Sequence, residues 1–260
     1  MNILEQLAAH AAARSAQRQK QCPERQMRAQ AQAMPKGDLP FERTLRQPGL
    51  SFICECKKAS PSKGIIDPQF PYLQIAREYE EAGADAISVL TEPKRFMGSE
   101  TILSEIAKQA HVPCLRKDFI VDAYMIDETK VLGADALLLI VALLEEPQLR
   151  EHLAHCEELG LSALVEAHDE AEVMCALRCG ARIIGVNNRD LKDFTVDPKR
   201  SASLRSLIPD DVLFVSESGV KDARDIQAVM AMRADAVLIG ETLMRASDRK
   251  ETLAALKACQ

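Results

Sequence analysis

The phrase GADAISVL (residues 83–90) decides the fold because it returns, as GADALLLI at 133–140, GARIIGV at 180–186 and RADAVLIG at 233–240. Successive copies start 50, 47 and 53 residues apart. In each, a helical pattern stops near the Gly or Arg and a short run rich in Ile, Val and Leu begins, as when a helix hands over to a buried parallel strand. A second strand precedes each copy: FICECK, PCLRKDF, SALVEA and LFVSES in turn, giving eight. Amphipathic stretches fill the gaps, among them Tyr72 to Glu81, Glu100 to Gln109, Leu149 to Leu159, Glu170 to Leu177 and Ala223 to Met232. Eight βα units over about 210 residues fit a single closed (β/α)8 TIM barrel of the α/β class better than an open doubly wound sheet. No G-x-G-x-x-G follows the first strand, which further weakens a dinucleotide-binding reading.

Residues 1–47 look helical and polar, interrupted by Pro23, Pro35, Gly37 and Pro40, and are read as an N-terminal extension to a barrel domain spanning 48–260. This extension is expected to fold over the barrel mouth. The 260 residues are 47% hydrophobic and 28% charged, as in an ordinary globular chain. A net charge of −6 gives no general basic footprint, so nucleic acid is not an expected partner. No apolar run reaches membrane length and no secretory segment opens the chain, so a cytoplasmic protein is expected. The eight cysteines are scattered without a C-x-x-C pair and read as small apolar fillers. His152 and His155 read as the polar face of a helix, and neither a metal nor a cofactor is expected.

The first strand poses a problem. In FICECKKASPSKG (residues 52–64), Ile53, Glu55 and Lys57 share one face while Phe52, Cys54, Cys56 and Lys58 share the other. An exposed edge strand could carry two charges on one face. The odd strands, however, repeat the pattern at their C-terminal ends: Glu55 and Lys57 on the first, Lys117 on the third, Glu166 on the fifth and Glu217 on the seventh. Barrel chemistry gathers at those ends. Two lysines against three glutamates nearly balance, which makes their burial tolerable and places acids and bases in separate environments. Asn187 and Arg189 bring polar groups from the sixth strand.

A second constellation suits an anion. SESGV after the seventh strand and LIGETL after the eighth place Gly219 and Gly240 where backbone N–H groups can approach phosphate. Ser218, Lys57 and Arg189 add a donor and two cations.

CECKKASPSKG, SVLTEPKRFMG, LRKDFIVD, LVEAHDE, GVNNRDL, SESGV and LIGETLM, taken in order over nearly the whole chain, closely resemble indole-3-glycerol phosphate synthases. The resemblance implies a carboxy-lyase of tryptophan biosynthesis. Its phosphosugar substrate, 1-(2-carboxyphenylamino)-1-deoxyribulose 5-phosphate, closes a ring with loss of CO2 and water. It assigns Lys117 as general acid, Glu166 as its proton-transfer partner, and Glu55, Lys57, Asn187 and Glu217 as supporting groups. Arg189, Ser218, Gly219 and Gly240 join Lys57 around the phosphate. Phe96, Phe119 and Leu138 resemble the wall holding the anthranilate ring, although each could equally be ordinary core. Position 241 is Glu where relatives can carry Ser, so only its backbone N–H is expected to serve phosphate, with the carboxylate turned away. A monofunctional enzyme or an excised piece of a fusion, monomeric or weakly self-associating, is expected. Phosphoribosylanthranilate isomerase is the nearest rival, but it needs a Cys and Asp pair, and Cys54 and Cys56 lie on the wrong face. A silent phosphate-binding barrel would have no use for Lys117 and Glu166 together.

Overall fold

The computed structural model describes residues 2–190 and 195–259. Three helices come first: α1 (Ile3–Gln19), α2 (Glu24–Ala33) and α3 (Pro40–Leu45). The barrel strands then follow as β1 (Ser51–Cys56), β2 (Ala86–Leu90), β3 (Cys114–Lys117), β4 (Ala136–Ile140), β5 (Ser162–Ala167), β6 (Ile183–Asn187), β7 (Leu213–Glu217) and β8 (Ala236–Ile239). Every neighbouring pair is parallel, and β1 pairs with both β2 and β8, which closes the sheet. Between strands run α4 (Tyr72–Glu81), α5 (Glu100–Gln109), α6 (Ala123–Val131), α7 (Glu146–Leu159), α8 (Glu170–Cys179), α9 (Lys199–Arg205) and α10 (Ala223–Ala231); α11 (Glu241–Arg245) and α12 (Arg249–Lys257) finish the chain. Helix α7 begins three residues earlier than its apolar pattern, because Pro147 fits the first turn, where no backbone donor is needed. No described helix is long and apolar enough to cross a membrane.

The repeated phrase has a backbone explanation. Gly83, Gly133 and Gly180 have φ of 86°, 86° and 85°, the left-handed conformation that ends a helix, and Arg233 adopts it at 55° despite its side chain. Two residues on, Asp85, Asp135 and Asp235 accept from the backbone N–H of Phe52, Cys114 and Phe214, at 2.8, 2.9 and 2.7 Å. Each aspartate therefore ties the start of an even strand to the odd strand before it.

The alternation expected of β1 is realised. Ile53 packs into one apolar cluster, while Phe52, Cys54 and Cys56 join another with Tyr79 of α4 and Leu253 of α12. Both histidines of α7 depart from the expected polar face, being only 6% and 8% exposed. His155 lies 2.8 Å from Asp127 of α6 and also meets Arg28 of α2, so a contact between helices, not solvent, accounts for it.

The N-terminal helices descend the outside of the barrel. Arg14 of α1 reaches the rim, donating to the Thr91 carbonyl at 3.2 Å and to Asp118 at 2.7 Å. Helix α2 packs on α6, and α3 lies at the opposite end, where Phe41 and Leu45 are buried and the Glu42 N–H donates to Ser162 Oγ at 3.2 Å. Pro40, read from sequence as an interruption, instead starts α3. Among the described residues none before position 55 lines the central cavity, so the extension does not enclose it as expected but touches the rim through Arg14 and the opposite end of the barrel through α3.

Candidate active site

A cavity of about 770 Å³ opens at the C-terminal ends of the strands. Strand register brings the charged ends together: Lys117 stands opposite Leu90, Glu166 opposite Gly185 and Glu217 opposite Asn187. Lys117 Nζ donates to Glu166 Oε2 at 2.9 Å and lies 3.4 Å from Glu217 Oε2. Glu55 pairs with Lys57 at the same level. All five side chains are buried or nearly so, and all line the cavity.

Burial and charge divide the protons among these groups. Burial alone would lower the Lys117 pKa, but Glu166, Glu217 and Glu55 outweigh it and hold the ammonium charged. Burial would likewise raise Glu166, yet Lys117 and His168 together keep it below the usual carboxylate range, helped by a hydrogen bond from Asn187. Glu217 goes the other way. Burial pushes it up to about 8, with Lys117 pulling down and Glu166 pushing further up. Its Oε1 is buried without a hydrogen-bond partner. At neutral pH the cluster thus holds a charged amine, an ionised carboxylate and a neutral carboxyl within one hydrogen-bonding group.

Two glycines make room for it. A Cβ on Gly185 would stand 2.1 Å from Glu217 Oε1, and one on Gly240 would stand 2.2 Å from Glu55 Oε1. Any side chain at either position would displace a carboxyl group of the cluster.

Phe96 and Phe119 form one wall, with ring centroids 6.2 Å apart and planes tilted by 40°, and Leu138 lies deeper. Across the cavity are Arg189, Ser218, Gly219, Gly240 and Glu241. Ser218 and Gly219 both have positive φ, 67° and 99°, and Asn188 Nδ2 donates to the Ser218 carbonyl at 3.0 Å. A serine held in the left-handed region marks a turn kept for its backbone geometry. Arg189 is oriented at its root, where its N–H donates to Asn187 Oδ1 at 3.0 Å.

The Glu241 carboxylate is not turned away. It meets Arg189 at 3.3 Å, Lys63 at 3.3 Å and Arg245 at 3.5 Å, because attraction to three cations outweighs the exposure it would gain by turning outward. Sequence reasoning missed Lys63, Arg245 and Lys221, which also line the cavity, and His168, 3.5 Å from Glu166. Lys63 lies inside the motif that was singled out, and Arg245 stands four residues after Glu241 on a short helix, so spacing could have found both.

Solved structures share the architecture at low identity, which bears on fold alone. The chain of 3-hexulose-6-phosphate synthase from Salmonella typhimurium superposes with a TM-score of 0.63 at 13% identity, over 81% of this chain and 98% of that one. Thiamine phosphate pyrophosphorylase from Pyrococcus furiosus gives 0.61 at 15%, over 84% and 96%. Sequence relatives are much nearer. The indole-3-glycerol phosphate synthase of Ruminiclostridium cellulolyticum is 54% identical over 222 residues, 85% of each chain, and that of Lacticaseibacillus casei is 50% identical over 256 residues, 98% of each. The sequence pattern of the family described as Indole-3-glycerol phosphate synthase matches residues 4–256, so this chain belongs to that family.

Proposed function

We propose that this chain is an indole-3-glycerol phosphate synthase, a carboxy-lyase of tryptophan biosynthesis that closes the ring of 1-(2-carboxyphenylamino)-1-deoxyribulose 5-phosphate. Besides the family, one observation carries the reading: Lys117 stands between Glu166 and Glu217, with an aromatic wall on one side and Arg189 with the Ser218–Gly219 turn on the other. Such a substrate has an aromatic acid at one end, a phosphate at the other and the reacting ketone between them.

The aromatic carbon bearing the carboxylate attacks the ketone carbon. A C–C bond forms, and the carbonyl π pair moves to oxygen. That oxygen needs a proton or a cation, which the charged Lys117 ammonium supplies in a site with little water. The bond to the carboxylate then breaks, its electron pair restores the aromatic ring, and CO2 departs. Finally the new hydroxyl leaves as water, driven by the ring nitrogen lone pair, and the CH2 beside that nitrogen gives up a proton to form the indole double bond. This step needs one group that gives a proton and one that takes it. The low Glu166 pKa supports it as acceptor, and the raised Glu217 pKa supports a proton held nearby, while Lys57 and Glu55 complete the polar floor and Asn187 orients Glu166. Phe96, Phe119 and Leu138 would hold the anthranilate ring. Lys57, Arg189, Ser218 and the backbone N–H groups of Gly219, Gly240 and Glu241 would hold the phosphate.

A Cys and Asp acid-base isomerase mechanism lacks its cysteine here, since Cys54 and Cys56 are packed against helices outside the barrel. The test is direct: purified protein mixed with the carboxyphenylamino-deoxyribulose phosphate should develop indole fluorescence. Absence of a signal from folded protein at substrate saturation would sink the assignment.

A further inference from the structure

At the phosphate end of the cavity, one carboxylate is held by cations from three separate parts of the chain. Lys63 comes from the loop after β1, Arg189 from the end of β6 and Arg245 from one turn further along α11. They approach Glu241 to 3.3, 3.3 and 3.5 Å, and all four residues line the cavity. An anion surrounded by cations from three elements has the form of an occupied anion site, and here the occupant is the protein's own side chain. An arriving phosphate must share Arg189 with that carboxylate or take it over.

We propose that Glu241 sets phosphate affinity: its carboxylate fills the cationic end of the phosphate site when substrate is absent, yields Arg189 and Lys63 to the incoming phosphate, and stays beside it on Arg245. The proposal rests on the phosphate reading given above and deepens it. The carboxylate partly neutralises three cations that would otherwise act together on a phosphate dianion. Without the carboxylate the same dianion would meet three cations and be released more slowly. The four-residue spacing of Glu241 and Arg245 on one helix face lets the ion pair persist as the other two partners change. Repulsion between a carboxylate and a dianion about 5–6 Å apart, screened as in bulk water, corresponds to roughly a tenfold change in affinity.

The test uses the full chain with inorganic phosphate, both as a calorimetric titrant and as a competitive inhibitor of ring closure. Glu241→Gln keeps shape and removes charge. It should tighten phosphate about three- to thirtyfold and lower substrate KM in the same direction. A phosphate affinity within twofold of the parent overturns the inference but leaves the phosphate reading standing. Arg189→Ala tests that reading separately: unchanged phosphate binding there removes both. Arg245→Ala examines the hand-over. In the parent it should weaken phosphate several-fold, because the carboxylate then keeps hold of Arg189; in the Glu241→Gln background the loss should be clearly smaller, that of one more distant cation. Equal weakening in both backgrounds would make Arg245 a direct phosphate ligand and overturn the hand-over. Circular dichroism verifies folding, and Glu241→Ser replaces Glu241→Gln if the latter is unstable.

Discussion

Arg116 and Lys117 are neighbours in β3, both buried among carboxylates, and the clusters on the two faces of the strand differ in their balance of charge. On the outer face all three guanidinium nitrogens of Arg116 are engaged, by Thr91 Oγ1, by the Met125 carbonyl with Thr129 Oγ1, and by Glu128. Asp118 takes two bonds from Arg14 and one from Thr91, and Arg18 bridges Glu100 and Glu128. Three arginines meet three carboxylates. On the inner face two lysines meet three glutamates, one carboxyl is pushed up to about 8, and one of its oxygens has no partner. A charge-balanced cluster of buried groups holds elements in place, whereas one with fewer lysines than carboxylates keeps a proton that can move.

Breaking the outer cluster should cost most. Arg116→Leu takes the fully buried cation from Asp118 and Glu128, leaving them only the partly exposed Arg14 and Arg18, and unfolding in urea should show a loss of about 3–5 kcal/mol. A loss under 1 kcal/mol would mean that the cluster is not structural. Lys117→Met, one residue along, should instead cut kcat by roughly 10² or more with KM little changed, because phosphate and ring contacts remain. Turnover within threefold of the parent, in protein shown to be folded, would remove Lys117 from the chemistry and leave Lys57 as the placed acid. Glu166→Gln should lower kcat by about tenfold or more, and the double variant with Lys117→Met should lose less than the product of the single losses if both act on one path. Arg14→Ala reaches the outer cluster from α1, and a loss of about 1–3 kcal/mol is expected, since Asp118 keeps Thr91 and its own backbone bond.

The last expected effect is a slope. With its carboxyl raised from 4.5 to about 8, Glu217 keeps a proton in the folded state that the unfolded chain has already released. Stability should therefore fall as pH rises between those values. Glu217→Gln cannot titrate, and its unfolding free energy should decline less over that window. Parallel curves for the two proteins would show that Glu217 ionises normally.

The inner cluster was legible in the sequence because strands have a period of two and the charges recur at matching ends of odd strands. The outer cluster was not. Arg116 and Asp118 look like solvent-facing residues by the same alternation, and their partners Arg14, Glu100 and Glu128 come from other elements. Charge patterning along one strand cannot show that a helix a hundred residues earlier will cover it. The aspartates of the repeated phrase were visible as letters, but their bonds go to backbone N–H groups, which carry no sequence signature. Glu241 was judged against a phosphate and not against Lys63 and Arg245, so its inward orientation was missed.

Arg182 occupies the place that Asp85, Asp135 and Asp235 hold in the other three copies, and it has no carboxylate with which to tie β6 to β5. Its guanidinium instead grips Glu42 of α3 at 2.9 Å, and the Glu42 N–H reaches Ser162 at the start of β5. A segment from outside the repeat has taken over the joint that the third quarter lacks. For anyone grafting or recombining quarter-barrels, three modules of this chain are self-sufficient at their lower seam. The third is transplantable only together with α3, or with a carboxylate restored at position 182.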